Sequence, residues 1–168
     1  RRREGPHPHS SVTWDSERDP KGVVPSHRAL DDVTQRLNGV MEVDRTIREY
    51  VGIPVNYSFG LGRCRAVAAA GGEVFIPRHG FNPVEIPDML VRGEINAISA
   101  VPSLWRVLLK GKHLFGDETM RVCWIEIGSQ AMSRAEKEEM KALFPQARIV
   151  QQYGLTQASR STFLPIGQ

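Results

Sequence analysis

Short apolar runs alternate with longer segments of helical periodicity along almost the whole chain, and this alternation constrains the fold most. Strands are predicted at residues 10–14, 23–24, 47–53, 73–77, 95–101, 120–127 and 148–152. Helices are predicted after the N-cap Ser26, over 58–70, within 81–92, after Pro102 and over 133–144. Ser133 and Glu136 are expected to form a capping box, and Val107 is expected to face the core with Leu104, Leu108 and Leu109. Strands that alternate with helices of this length favour a mostly parallel sheet flanked by helices. The expected fold class is therefore α/β.

The length of 168 residues suits one domain with a substantial core. We expect a flexible terminus over residues 1–9, which begins with three arginines, and a single α/β domain over residues 10–168. A basic arm that binds an anionic surface is the alternative for the terminus. The formal net charge of +3 is too small to indicate a nucleic-acid partner.

Membrane insertion and metal binding both lack a sequence signal. No apolar run approaches the length of a membrane-spanning helix, and the protein is predicted to be cytoplasmic. Cys64 and Cys123 lie far apart in apolar segments, which predicts buried, reduced thiols, although a disulfide stays open from sequence alone. Neither cysteine has a partner at the spacing of a metal site.

The strongest functional signal lies at residues 148–159, which read RIVQQYGLTQAS. The segment begins as a buried strand that Tyr153 and Gly154 end, and a turn with Thr156 and Gln157 follows. Ligands of open α/β sheets collect outside the carboxyl ends of the strands. At such a place an aromatic ring can stack on a base, a glycine lets backbone approach a ligand, and a hydroxyl can donate to a phosphate.

This segment resembles the Tyr-Gly-x-Thr-Glu signature of the adenylate-forming enzymes, the superfamily of acyl-CoA synthetases, adenylation domains and luciferases. The resemblance implies that Tyr153, with Gly154 beside it, packs on adenine, and that Thr156 contacts the phosphates and takes part in catalysis. Gln157 stands where the family has a glutamate that helps to hold magnesium, and a neutral amide attracts a hard dication less. The implied cofactors are ATP or AMP and Mg²⁺.

A second match lies near the amino terminus, where a strand, a polar loop and a helix follow one another as in a phosphate-binding loop. Residues 19–22, DPKG, resemble the end of the family's loop. Thr13 and Ser16 fall on the hydroxyl positions of that loop, which implies contacts with the nucleotide. The resemblance gives Lys21 a catalytic role at the phosphates.

The same loop departs from the family pattern at four positions. Asp15 and Arg18 replace glycines, Trp14 replaces a small hydroxyl residue, and Glu17 replaces a threonine. Side chains obstruct the backbone N–H groups that would wrap a phosphate, and Asp15 and Glu17 would repel a triphosphate. A solvated loop that binds nothing is therefore the alternative interpretation.

The middle of the chain resembles the parts of the family that line the carboxylate-substrate pocket. The matching residues follow two predicted strands, and they are Tyr57, Phe59, Gly60 and Val101. The alternative for the two aromatic residues is a place in the core. Gly128 and Ser129 match the turn whose backbone borders adenine, while Glu126 is expected at a sheet edge or a pocket rim.

The resemblance runs from about Thr13 to Pro165 and implies one subdomain of the N-terminal domain of such an enzyme. The expected function is the nucleotide- and acyl-binding core of an ATP-dependent ligase that joins a carboxylic acid to CoA or a carrier-protein thiol through acyl-AMP. The family's ribose-binding aspartate, hinge and mobile C-terminal domain have no counterpart in this sequence. Little or no turnover is therefore expected of this chain alone.

Two other function classes stay open. A degenerate, non-catalytic member could act as a binding or interaction module, with homo-oligomers covering the apolar faces that the missing parts would otherwise meet. A plain mononucleotide-binding α/β domain is the third class, and the absence of a G-x-G-x-x-G fingerprint counts against it.

Overall fold

The computed structural model describes residues 11–12, 22–155, 158 and 161–167, so the terminal segment 1–9 lies outside the described residues. Helices α1–α5 span His27–Met41, Ser58–Ala69, Glu85–Arg92, Pro102–Lys110 and Arg134–Leu143. Strands β1–β8 span Ser11–Val12, Gly22–Val23, Arg48–Val51, Glu73–Phe75, Ala97–Ala100, Trp124–Ile127, Arg148–Tyr153 and Thr162–Ile166. Two 3-10 turns, Lys112–Leu114 and Asp117–Arg121, precede β6.

Six strands of the described chain form one sheet in the order β4-β3-β5-β6-β7-β8. Neighbouring strands are parallel except for β8, which runs antiparallel to β7. The predicted α/β class and mostly parallel sheet are confirmed. The sheet changes its direction of growth at β3, because β4 follows on one side of it and β5 on the other. Such a switch point is where open α/β sheets bind ligands.

Two apolar layers cover the sheet, because alternate residues of each strand face opposite sides. One layer joins Ile125 of β6 to Trp105 of α4, together with residues of α3 and α5. The other joins Trp124 of β6 to Leu37 of α1 and Val67 of α2. The interior strands β3, β5 and β6 are therefore buried on both faces, as is typical of parallel sheets.

Local capping signals predicted the starts of two helices correctly. The Ser26 hydroxyl accepts the backbone N–H of Ala29 at the start of α1. Ser133 and Glu136 form a reciprocal capping box at the start of α5. These hydrogen bonds satisfy backbone N–H groups that have no partner within the helix.

The predicted strand over 120–127 is wrong in its first part, because a 3-10 turn occupies Asp117–Arg121. The Glu118 carboxylate accepts the N–H of Gly116, and the Thr119 hydroxyl donates to the carbonyl oxygen of Gly116. Such local side-chain hydrogen bonds compete with the ladder of a sheet. The strand therefore begins only after the turn.

The inward face of α4 also differs from the prediction at one position. Val107 was expected to face the core but is 48% exposed, whereas Trp105 is completely buried. Trp105, Leu108 and Leu109 follow the i, i+3, i+4 spacing of one helix face. The indole N–H of Trp105 also donates to the Ala100 carbonyl oxygen, which ties α4 to the end of β5.

The predicted pair of buried thiols is wrong for Cys123, which is exposed, while Cys64 is half-buried. Cys123 directly precedes β6, and its thiol donates to the carbonyl oxygen of Asn96. Both cysteines are free, as the interpretation of reduced thiols expected. No helix in the described part of the chain is long and apolar enough to cross a membrane.

A buried ionic cluster lies between α2 and the sheet, and it corrects the expectation for Glu126. Glu126 is fully buried on an interior strand rather than at an edge or rim. The Arg63 guanidinium donates from Nε and Nη2 to the Glu49 carboxylate at 2.9 and 2.8 Å. Its Nη1 lies 3.0 Å from a Glu126 carboxylate oxygen, and its Cζ lies 4.3 Å from the centroid of the Trp124 ring.

Arg63 stays charged in this cluster. Burial alone would lower the pKa of Arg63, but the charges of Glu49 and Glu126 and the hydrogen bond to Glu49 raise it above its usual value. The two carboxylates therefore have a cation between them that does not lose its proton at any ordinary pH.

Removing this cation is expected to destabilise the fold strongly. Arg63→Met leaves two buried carboxylates without their cation, and the free energy of unfolding in urea should fall by about 3–5 kcal/mol. Arg134→Met is the matched control, because its ion pair with Glu138 is exposed and should contribute less than about 1 kcal/mol. Equal, small losses in both variants would contradict the prediction.

Candidate functional site

The carboxyl ends of β3, β5, β6 and β7 lie along one edge of the sheet because these strands are parallel. Gly52 follows β3, Val101 follows β5, Gly128 follows β6, and Tyr153 ends β7. Val101, Gly128 and Tyr153 were predicted as site residues from sequence. The topology therefore brings residues from distant parts of the sequence to the edge where α/β sheets bind ligands.

Phe59 and Gly128 are in direct contact. A Cβ atom on Gly128 would lie 2.5 Å from Cε1 of Phe59 and 2.6 Å from Nε2 of Gln152, which leaves no space for a side chain. Phe59 and Gln152 are both buried. Phe59 is therefore a core residue and also the neighbour of the backbone that was expected to border adenine, so the two interpretations of this ring are compatible.

The first turn of α2 is pressed against the chain that leaves β3. A Cβ atom on Gly60 would lie 2.5 Å from the Pro54 carbonyl oxygen and 2.7 Å from that of Ile53. Glycine is needed here because the helix approaches backbone atoms, which cannot move aside as a flexible side chain can. Tyr57 holds the N-cap position and is 46% exposed, so its ring is available at this edge.

Side-chain hydrogen bonds join the loop after β6 to β7 and α4. Ser129 has a left-handed backbone with a φ of 77°, which is uncommon for a residue other than glycine. The Gln151 side chain donates to the Gln130 carbonyl oxygen at 3.0 Å, and Arg106 donates to that of Ala131 at 3.4 Å. A strained residue held by its surroundings in this way often marks a functional site.

The far end of this loop is fixed electrostatically. Glu136 accepts hydrogen bonds from the Arg106 guanidinium and from the backbone N–H of Ser133. The hydrogen bond from Arg106, followed by those from Ser133, lowers the pKa of Glu136 to about 2. The carboxylate therefore links α4 to α5 below the loop and stays ionised through the neutral range.

Tyr153 stands at the end of β7 opposite Thr162 of β8, with its side chain largely exposed. Gly154 follows it, and the backbones of Leu155 and Ala158 then exchange two hydrogen bonds at 3.0 and 3.1 Å. An exposed aromatic ring next to a glycine offers a flat apolar surface with little backbone obstruction. This geometry suits a planar ligand.

Several predicted site residues lie outside the described residues, and their roles stay predictions. They are the hydroxyl and lysine positions of the phosphate loop and the turn after β7, namely Thr13, Ser16, Lys21, Thr156 and Gln157. The departures at Asp15 and Arg18 lie outside the described residues too. Among the residues that are described, no group of three His, Cys, Asp or Glu side chains could hold a metal ion.

Sequence reasoning missed the polar residues that shape this edge from below. Gln152 was included in a strand but given no role, and Glu49 and Arg63 were not selected. A signal existed, because a carboxylate within an apolar strand and an arginine within a helix of small residues are unusual in a core. Their pairing could not be read from spacing, since the partners lie on separate elements.

Filling the space at Gly128 should disturb both neighbours. Gly128→Ala forces the Phe59 ring and the Gln152 amide to move, so the free energy of unfolding should fall by about 1–3 kcal/mol. Gly39→Ala on α1 is the control, because nothing lies within 4 Å of its added Cβ atom. That change should stabilise by roughly 0.5–1 kcal/mol through helix propensity. Urea unfolding measures both, and a Gly128→Ala variant as stable as the wild type would refute the contact.

The Glu136 interaction has a defined pH dependence. Its pKa in the folded protein, about 2, lies below the ordinary value of 4.5, so the stabilisation is complete above that ordinary value and is lost as pH falls towards 2. Urea unfolding from pH 7 to pH 3 should show that the stability difference between wild type and Glu136→Gln shrinks at low pH. In an Arg106→Met background this pH dependence should become smaller, because only the hydrogen bonds of Ser133 then lower the pKa of Glu136, and an undiminished pH dependence there would contradict the assignment.

The sequence profile of the AMP-binding enzyme family matches residues 18–167 of this chain. The curated AM-toxin synthetase AMT1 of Alternaria alternata is 25% identical over 120 residues, which cover 70% of this chain and 3% of that protein.

Solved structures share the fold over nearly the whole chain. VinN in complex with L-aspartate has a TM-score of 0.80 at 19% identity, covering 93% of this chain and 39% of VinN. ATP-bound MatB from Rhodopseudomonas palustris has a TM-score of 0.80 at 22% identity, covering 95% of this chain and 31% of MatB. O-succinylbenzoate Coenzyme A Synthetase (MenE) from Bacillus subtilis, in complex with ATP and magnesium ion, has a TM-score of 0.79 at 19% identity. The match covers 93% of this chain and 32% of MenE.

The chain thus spans about a third of the length of these solved proteins and a small part of the synthetase. The family profile covers nearly all of the chain, and the sheet has the α/β architecture that the resemblance implied. The protein therefore belongs to the AMP-binding enzyme family, the adenylate-forming enzymes.

Proposed function

We propose that this chain forms the nucleotide- and acid-binding core of an ATP-dependent ligase that joins a carboxylic acid to CoA or a carrier-protein thiol. The acid carboxylate would attack the α-phosphorus of ATP and release pyrophosphate, giving acyl-AMP. The thiol sulfur would then attack the acyl carbon, and AMP would leave. The observation that carries this proposal is the contact of Phe59 with the side-chain-free backbone of Gly128 at the edge where Tyr153 stands.

The adenine-binding part of the proposed site would lie at the ends of β6 and β7. Gly128 and Ser129 would offer backbone to the base, because no side chain projects from Gly128. Tyr153 would stack on the base with its exposed ring, and Gly154 would let the ligand approach the backbone. The ATP and AMP complexes of the structural neighbours are consistent with this assignment.

The acid-binding part would lie at the first turn of α2 and the start of α4. Tyr57, Phe59 and Gly60 would line one side of it. Val101, the half-buried N-cap residue of α4, would line the other side. Apolar and aromatic walls with few polar groups are typical of small-molecule pockets.

The phosphate-binding part would use residues outside the described part of the chain. Lys21 and Thr156 would contact the phosphates of the nucleotide, with Thr13 and Ser16 beside them, and magnesium would arrive with the nucleotide. Gln157 supplies an amide where a carboxylate would hold the ion more firmly.

A non-catalytic binding module is the second candidate. Asp15, Arg18 and Gln157 favour it. The side chains of Asp15 and Arg18 replace glycines and would obstruct the backbone N–H groups of the loop, and the amide of Gln157 attracts a metal ion less than a carboxylate does. Phe75 on the edge strand β4 and the adjacent Ile76 are exposed, and an exposed apolar edge strand is suited to pairing with another chain. Homo-oligomers that cover this edge belong to this candidate.

Calorimetric titration with ATP and AMP, each with and without Mg²⁺, separates the two candidates. The ligase proposal expects micromolar binding of both nucleotides, weakened roughly 5- to 150-fold by Tyr153→Ala through the loss of about 1–3 kcal/mol of stacking. Met120→Ala is the control, because its half-exposed side chain precedes β6 at the opposite edge of the sheet. A lack of binding by the folded wild type would overturn the proposal and favour the non-catalytic module.

A further inference from the structure

Two contacts between α2 and β6 lie one above the other. Phe59 and Arg63 are one helical turn apart, and they meet Gly128 and Glu126, which are two residues apart on the β6 side. Four helical residues rise about 6 Å and two strand residues about 6.6 Å. The spacing of the two contacts therefore matches on both elements, so one contact constrains where the other forms.

We propose that Arg63 is a positioning residue for the candidate site: it sets α2 along β6 so that the Phe59 ring occupies the space beside Gly128. This role rests on the proposed function for its consequence in binding, but its geometry can be tested without any ligand. Arg63 itself is fully buried, so its side chain has no exposed surface for a ligand to contact.

The shape of the guanidinium suits it to this role. It makes a bidentate contact with Glu49 on β3, an ion pair with Glu126 on β6 and a stacking contact with the Trp124 ring. β3 and β6 are separated by β5, so the cation spans three strands. A planar fork with partners in three directions has one position and one orientation, which the point charge of a lysine would not have.

The apolar contacts of α2 do not fix its position equally well. Its buried face carries the small residues Gly60, Gly62 and Ala66 beside the larger Phe59 and Val67, so it offers few ridges that would resist sliding along the sheet. Buried ion pairs often contribute little net stability compared with apolar replacements, but they can specify one register among several. A helix face with three small residues and one deeply buried guanidinium fits that use.

The test must keep the protein folded while removing the fork. Glu49→Leu/Arg63→Met/Glu126→Leu replaces all three charges together and so avoids the uncompensated carboxylates of the single variant. Leu108→Ala, in the layer on the other face of the sheet, is the control for a general loss of stability. Both variants are compared with wild type in temperature and buffer conditions where unfolding curves show each to be folded.

The primary readout is the nuclear Overhauser effect between the Phe59 ring protons and the Gly128 backbone. It should be present in the wild type and in Leu108→Ala, and lost or shifted to other protons in the triple variant. An unchanged effect in the folded triple variant would overturn the proposal, whether or not nucleotide binds.

Binding of AMP is the second readout, measured by calorimetry on the same proteins. The triple variant should bind AMP at least about tenfold more weakly, a change of about 1.4 kcal/mol, while Leu108→Ala binds as the wild type does. Adding Phe59→Ala to the triple variant should cause little further loss, because Arg63 acts through that ring. Full AMP affinity in the triple variant would overturn the positioning role, whereas a wild type that binds no AMP would reject the proposed function and leave the geometric result to decide the role of Arg63.

Discussion

Parallel pairing of β3, β5, β6 and β7 is the constraint on which the rest of this structure depends. It places the carboxyl ends of four strands at one edge and requires a helical crossover between successive strands. Both faces of the sheet are then covered, so polar groups of the strand ends can meet a ligand only at the edge. Gly128 and Tyr153 lie there as a consequence of topology, and Val101 does so for the same reason.

The close approach of α2 to the sheet is the second condition for this edge. Gly60 lets the helix touch the backbone after β3, and Gly128 lets Phe59 reach β6, so two glycines on different elements allow one contact surface. Arg63 of the same helix is buried with Glu49 and Glu126 between α2 and the sheet, away from solvent. A feature that looks like a core interaction therefore bears directly on the shape of the candidate pocket above it.

What the sequence could predict divides by the range of the interaction. Ser26 and the Ser133–Glu136 box act within one helical turn, and both were found from sequence. Phe59 and Gly128 were selected individually through resemblance, but their contact was not foreseen. Glu126 was misplaced because its burial depends on Arg63, which is on another element and gives no signal in the periodicity around β6.

The turn before β6 failed for a different physical reason. Its residues have a composition that a strand could accept, but hydrogen bonds of Glu118 and Thr119 to Gly116 stabilise a 3-10 turn instead. Such competition involves small free-energy differences between local alternatives, which propensity alone does not resolve. The exposed Val107 follows from the same limit, since the bulky Trp105 decides which face of α4 is buried.

The candidate site divides into two parts with separate physical determinants. The regions proposed to meet the base and the acid depend on shape. Their residues, from Phe59 to Tyr153, lie on α2 or at the ends of strands of one sheet. The region proposed to meet the phosphates depends on charge and backbone donors. The residues that depart from the family pattern, Asp15, Arg18 and Gln157, all belong to this region. Loss of phosphate contacts would lower the affinity for the triphosphate without altering the surface proposed to meet adenine. An affinity for AMP that exceeds the affinity for ATP would therefore identify a ligase site with weakened phosphate contacts, whereas binding of neither nucleotide favours a fold that serves another use.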